Sequence, residues 1–279
     1  MRMRIRPTKV ILYLVISILV LIWVLPVWTT FSVAFKSPKE YLNQKFYQFT
    51  REFSIIDNLR NTFKMYQLHK HFFNSLLYAV TGAGIAIITA SMAGYSIIRL
   101  RPRFNFLLFL IIYSGTLFPF QMYLIPVYKL FYSVGLYDKK LGMILIYSAI
   151  CIPFSLFVYR GFYTTIPKEI EEAAKLDGCG PLKSYLYIFL PQSVAPTAVV
   201  ALFQMTWIWN DLLFGMVLTR SQNARPIMIA LASMSGPSGG TVMPYTMSGV
   251  IFTSIPTILL FVLLRKYFIS GMVLSISGK

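Results

Sequence analysis

The chain has 279 residues, of which 57% are hydrophobic and 13% charged, with a formal net charge of +17 and a mean hydropathy of +0.65. Soluble domains average about 45–50% apolar and about 25% charged residues, so the composition excludes an ordinary soluble domain. At roughly 20 apolar residues per bilayer-spanning helix, it leaves room for about five to seven spans and little else. No isolated basic domain accompanies the positive charge, which reads as cations flanking spans and meeting the lipid bilayer's anionic headgroups, with no nucleic acid as partner.

The N-terminal MRMRIRPTK is basic, and Val10 to Phe35 is almost uniformly apolar. Ser32-Val33-Ala34 resembles a signal cleavage site. The apolar run far exceeds a signal-peptide core of about 7–15 residues, however, so it is read as a retained first span, 10–35. Residues 36–71 form the longest polar segment and hold both histidines, His69 and His71, without the further ligands a metal site needs. Span two covers about 72–98. Its small residues Gly82, Ala86, Ala90 and Gly94 recur every fourth position, a stripe that admits close approach of another helix. Gly82-Ala83-Gly84 is not a dinucleotide fingerprint, because position 87 is Ile and no strand precedes it. Arg99, Arg101 and Arg103 make a basic turn before span three, about 104–131, where Pro119 and Pro126 predict kinks. After the short YDKK loop come span four at 141–162, a polar loop at 163–191, span five at 193–219 and span six at 246–268. Six spans put both termini on one side, and the basic N-terminus and three-arginine turn make that side the cytoplasm. Cys151 and Cys179 have no metal-type spacing, and no disulfide is expected between them.

The 163–191 loop is acidic and alanine-rich between two apolar spans. Pro167 suits a first helical turn, and Glu169, Glu171 and Glu172 suit the positive end of a helix. Lys175 follows Glu171 at the favourable spacing, Ile170, Ala173 and Ala174 share a face, and Gly178 supplies a stop. Gly180-Pro181 starts a second short helix towards Leu190-Pro191. A small, alanine-lined face with acidic flanks fits a protein groove better than a lipid surface, which would want a basic polar face and bulky apolar residues. On the residues alone, this is either a docking element for a cytoplasmic protein or an ordinary connecting helix. In span five, Phe203, Trp207, Asn210, Asp211 and Phe214 share one helical face. Rings beside an amide and a carboxylate suit a sugar, since rings stack on its C–H face and polar groups pair its hydroxyls. An intramembrane carboxylate also favours a cavity or a partner, and Arg220 or Arg225 is the competing partner for Asp211. No phosphate-binding Gly-Lys-[Ser/Thr] loop occurs: the one Gly-Lys pair is Gly278-Lys279. Nor is there a nucleophile elbow, a zinc-protease motif or a pair of intramembrane carboxylates. The chain is read as non-catalytic, with no metal.

Glu172-Ala173-Ala174, Gly178 and Ile188-Phe189-Leu190-Pro191 match, element by element and in spacing, the EAA loop of ABC importer permeases. The resemblance runs over nearly the whole chain. Asn74-Ser75, Trp209-Asn210-Asp211 and Tyr267-Phe268-Ile269-Ser270-Gly271 resemble the carbohydrate branch, specifically its maltose-type inner permease. The resemblance implies an all-α type I importer permease of six transmembrane helices, multi-pass in the cell membrane with both termini cytoplasmic. It implies a second, different permease, two cytoplasmic ATPases and an extracytoplasmic solute-binding protein. ATP and Mg would be bound by the ATPase and no cofactor by this chain. Glu171, Glu172, Ala173, Ala174, Asp177, Gly178, Ile188, Leu190 and Pro191 would form the coupling loop. Within it, Glu172 makes polar contacts at the rim of the ATPase groove, Ala173 and Ala174 allow close approach, and Gly178 makes the turn. Cys179-Gly180-Pro181 departs from the pattern by adding a second breaker. The loop carrying Ser235, Gly236, Pro237, Ser238, Gly239 and Gly240 would reach towards the binding protein; the alternative is a plain connector. Three alternatives to a sugar importer stand beside this reading. An importer for a polyol phosphate, amino acid or peptide is one, although a phosphate would want buried cations and the mid-span regions offer little beyond Lys129. A secondary transporter would call for internal repeats and broken helices. A membrane scaffold would leave the coupling loop idle.

Overall fold

The computed structural model describes residues 7–45, 47–234 and 242–277, and every regular element among them is helical. In chain order these are α1 (Pro7–Phe35), α2 (Pro38–Asn43), α3 (Ile55–Tyr66), α4 (Leu68–Tyr95), α5 (Asn105–Ser114), α6 (Gln121–Ser133), α7 (Lys140–Thr165), α8 (Lys168–Leu176), α9 (Pro181–Ser184), α10 (Leu190–Gln192), α11 (Val194–Trp209), α12 (Leu213–Leu218), α13 (Ile227–Met234) and α14 (Met243–Ser277). Two π-helical turns interrupt the pattern: Ser96–Leu100 continues α4, and Tyr185–Phe189 joins α9 to α10.

The chain divides into two units. The first contains the residues up to Leu68 together with Leu231–Ile255. In it, Asn58 donates from Nδ2 to the carbonyls of Ala34 and Lys36 at 2.9 and 2.8 Å, capping the end of α1. Thr62 donates to the carbonyls of Asn58 and Tyr245, and the Lys36 ammonium, fully buried, donates to the carbonyl of Lys45 at 2.7 Å. The burial of Lys36 lowers its pKa, opposed by the neighbouring Glu40 carboxylate.

The second unit contains His69–Ala230 and Pro256–Lys279, and its core is α4 against α7 and α11. The stripe Gly82, Ala86, Ala90 and Gly94 is buried along its length, as the spacing predicts. A Cβ at Gly82 would lie 3.1 Å from that of Tyr147, and one at Gly94 would lie 3.1 Å from that of Tyr159. α4 and α7 thus run side by side in the same direction, with backbone closeness supplied by small residues, since lipid provides no hydrophobic drive for helix association.

Among the described residues, four helices are long and apolar enough to cross a bilayer, and a fifth is counted if the bent pair Pro181–Gln192 and Val194–Trp209 is one span. The expected third span is instead two helices of 10 and 13 residues, α5 and α6, separated around Pro119. A proline cannot donate to the preceding turn and its ring clashes with it, so here it breaks the helix rather than kinking it. The expected fifth span also ends early. α11 stops at Trp209, and α12 is a separate short helix.

Candidate functional site: an exposed helical turn and a ring-lined cleft

The 163–191 loop folds as helix, turn and helix. α8 has Glu169 and Glu171 in its first turn and Lys175 in its last, each favourably placed for the helix dipole. The helix ends where Gly178 adopts φ +75°, a left-handed backbone that glycine accepts without steric cost. The amides of Gly178 and Cys179 then donate to the carbonyls of Lys175 and Ala174 at 3.0 and 2.9 Å, satisfying the last turn. Pro181 opens α9, and Gly180 precedes it in an extended conformation.

The exposed face of α8 carries Glu169, Glu172, Ala173 and Leu176, at the spacing of one helical face, and Leu176 is 90% exposed. Asp177, Gly178, Leu190 and Pro191 are also exposed, and Ile188 is half-buried. Glu171 and Ala174 point inward and are buried. The expected grouping of Ile170, Ala173 and Ala174 on one face therefore splits, with Ala174 against the protein and the other two outward. Leu176, Leu182 and Tyr187 are large exposed side chains of this turn.

Arg99 is a residue that the sequence reading left as one of three cations in a turn. Its Nη2 donates to the carbonyls of Tyr163 and Ile166 at 2.7 and 2.5 Å, and its Nη1 lies 3.5 Å from Glu171 Oε2. The guanidinium also sits over the Phe189 ring, 5.0 Å from its centroid. Lys175 reaches the other oxygen of Glu171 at 2.7 Å from the solvent side. Tyr95 donates to the Pro181 carbonyl at 3.0 Å and packs on Phe189, while Ser91 and Tyr185 share a hydrogen bond of 2.6 Å. No sequence spacing connects Arg99 with Glu171; only the fold brings them together.

Phe203 and Trp207 of α11 line a cleft of about 550 Å³ with Phe120, Tyr123, Phe154 and Gln204. They also line an adjoining cleft of about 770 Å³, whose polar lining includes Thr206, Asn210, Asp211 and Thr257. Four of the five expected span-five residues thus meet at these clefts. Phe214 lies on α12 and is fully buried behind them, stacked 6.2 Å from Tyr123. Asp211 takes neither of its expected arginine partners. It accepts the Tyr147 hydroxyl at 2.8 Å and the Gly215 amide at 3.1 Å, holding the start of α12. Asn210 is exposed, and its Nδ2 donates to the Thr206 carbonyl of α11 at 2.8 Å. Arg220 and Ser221 instead give their amides to Asp138. His71, a segment residue by sequence, is buried with Nδ1 3.0 Å from the Arg225 carbonyl. Cys151 and Cys179 are both free thiols. No cluster among the described residues could hold a metal ion. The loop Ser235, Gly236, Pro237, Ser238, Gly239 and Gly240 lies outside the described residues.

Residues 82–273 match the family described as binding-protein-dependent transport system inner membrane component. A probable ABC transporter permease protein of Pyrococcus horikoshii is 36% identical over 274 residues, 96% of either chain. The melibiose/raffinose/stachyose import permease protein of Bacillus subtilis is 28% identical over 216 residues, 77% of this chain and 78% of that one. A chain of a bacterial ABC transporter that imports the acidic polysaccharide alginate superposes with a TM-score of 0.82 at 20% identity, over 94% of this chain and 96% of that one, a likeness of fold.

Proposed function

Since the chain belongs to the family of binding-protein-dependent transport system inner membrane components and is a multi-pass permease subunit of an ABC importer, we propose that the solute it carries is a sugar or oligosaccharide. The observation that carries this reading is the pair of clefts at α11, where Phe120, Phe203 and Trp207 offer ring faces beside the amide of Asn210 and the hydroxyl of Thr206. Rings and fixed polar groups in one concave site are what a sugar's C–H faces and hydroxyls require. The name of the Bacillus subtilis relative, a melibiose/raffinose/stachyose import permease protein, agrees with it.

The working assembly in this reading has a different second permease, two ATPase subunits that bind ATP and Mg, and a solute-binding protein on the outer face. Both termini and the α8 turn face the cytoplasm. The outward face of α8, with Glu172 and Ala173 at its centre and Leu176 at its end, seats in a groove of the ATPase. Nucleotide binding shifts the permease between inward- and outward-facing states because the closed ATPase pair holds α8 better in one of them. Ile188, Leu190 and Pro191 continue the same segment into α11, so movement of the turn is passed directly to the helix that lines the cleft.

The test is ATP-driven uptake by proteoliposomes containing the purified importer and its binding protein, offered radiolabelled raffinose, melibiose or glucose in parallel with an amino acid and a polyol phosphate. Uptake of a sugar alone is expected; uptake of one of the other two classes and no sugar overturns the proposal. Trp207→Ala should lower sugar uptake about tenfold, the loss of one ring-stacking contact with its buried area.

A further inference from the structure

Arg99 differs from its neighbours Arg101 and Arg103, which are exposed. Its side chain is 5% exposed, and it joins its own segment to three others. It belongs to the π-helical end of α4; it caps the carbonyls of Tyr163 and Ile166 at the end of α7; it pairs with Glu171 of α8; and it lies on Phe189 in the π-helical turn before α10. The geometry needs a guanidinium, because one nitrogen serves two carbonyls while another faces the carboxylate, a fork that the point charge of lysine cannot reproduce. Among the described residues, this is the one ion pair that joins α8 to another element. π-helical turns often mark functional positions, and here Arg99 of the first lies against Phe189 of the second, whose ring is 4.9 Å from that of Tyr95.

Resting on the reading of α8 as the helix that docks on the ATPase, we propose that Arg99 is the positioning residue that makes the docking helix, the end of α4 and the end of α7 move as one body. A movement of α8 imposed by the ATPase then reaches two core helices without being absorbed by the turn between α7 and α8. That turn, Ile166 and Pro167, is short and carries the carbonyl that Arg99 holds. Without the guanidinium, Glu171 keeps only Lys175, whose ammonium is exposed, and the last carbonyls of α7 lose their donor. A buried carboxylate missing its partner turns to solvent, and α8 can then move on its own.

The experiment is hydrogen exchange on the purified whole importer, with and without MgATP, for wild type, Arg99→Gln, Arg99→Lys and Glu171→Gln. In wild type, ATP should change exchange in α8 and also in residues 96–100 and 160–166. In Arg99→Gln, the response should persist in α8 but shrink about fivefold in the other two segments, in the range of measured coupling free energies. Arg99→Lys should fall between the two. A purely structural role predicts something else: faster exchange at all three places with or without ATP, and an unchanged difference between the two conditions. That result, or an equal ATP response in wild type and variants, overturns the proposal. If the Arg99→Gln importer does not accumulate, Glu171→Gln decides by the same comparison, since it leaves the carbonyl caps of α7 in place. If no ATPase co-purifies with the wild-type chain, the docking reading fails, and this inference with it. If the ATPase is present and ATP changes α8 alone, only this inference fails.

Discussion

A charged side chain stands at each end of α7, and the two are used in opposite ways. At the Lys140 end, the Asp138 carboxylate accepts the amides of Arg220 and Ser221 at 2.8 and 2.9 Å and the Ser221 hydroxyl at 3.1 Å. The Asp138 amide returns a bond to the Leu218 carbonyl at 3.0 Å. Every partner lies in one stretch of chain, 218–221, so the anchor is closed on itself. At the Thr165 end, Arg99 spreads over backbone carbonyls, a carboxylate and a ring on separate elements. An anchor whose partners are all in one loop can only hold. One whose partners sit on different helices can also transmit, because each helix is able to pull on it. Variants at the Lys140 end should therefore show up as lost stability, and variants at the Thr165 end as lost transport from a folded protein.

The sharpest contrast comes from two glycines of the same helix. A methyl group on Gly142 would overlap the Leu136 carbonyl oxygen and press on the Phe131 ring at 3.3 Å. Backbone cannot step aside as a flexible side chain can, so Gly142→Ala should destabilise the protein by about 3 kcal/mol. Gly161, near the other end, has nothing within 4 Å of its would-be Cβ. Gly161→Ala should be neutral or stabilising by up to about 1 kcal/mol, since alanine is the better helix former. Thermal unfolding in detergent measures both, and equal effects would break the proposed asymmetry.

Next in size is Asp138→Ala, which removes an acceptor shared by three donors and should cost about 2 kcal/mol. Burial pushes the Asp138 carboxyl up, but the hydrogen bonds from Arg220 and Ser221, with the charge of Arg225, outweigh it and hold the group below its ordinary value of 3.8. A carboxyl with a lowered folded pKa contributes stability in full above the unfolded value and loses it as pH falls through the folded one. The stability this group contributes should therefore be constant between about pH 5 and pH 7 and should be lost below about pH 4. Asp138→Asn should flatten that acid limb. An acid limb identical in the variant would mean that the anchor does not depend on charge.

How much of this could be read from residues alone follows from the kind of contact. The small-residue stripe on α4 and the helix–turn–helix of 163–191 are local patterns of spacing and capping, and each is found where the sequence puts it. The breaks in the third and fifth spans were half-visible. Pro119 was flagged as a kink but ends a helix. Nothing in the apolar run 193–219 announces that Asp211 will leave α11 to cap α12. The partners of charged residues were illegible. Asp211 was matched to Arg220 or Arg225 by sign and nearness, whereas the fold gives it a tyrosine hydroxyl and backbone amides. Lys36 and Arg99 donate to backbone carbonyls, and Asp138 and Asp211 accept backbone amides; backbone partners have no sequence signature.

Gly178 has a small stability effect, and it sharpens the comparison most finely. Its φ of +75° costs an L-residue about 1 kcal/mol, and no atom lies within 4 Å of the would-be Cβ. Gly178→Ala should hardly move the unfolding temperature, because an exposed turn can absorb local strain without opening the core. Its effect on uptake should be larger than its effect on stability, since the turn angle sets how α8 is presented. Asparagine tolerates the left-handed conformation better than alanine does. If Gly178→Asn restores uptake that Gly178→Ala loses, the turn angle is what coupling needs. If both fail while both proteins fold and retain the ATPase, the requirement is the empty space beside the turn, and the docking surface extends from Leu176 across Gly178 to Leu182.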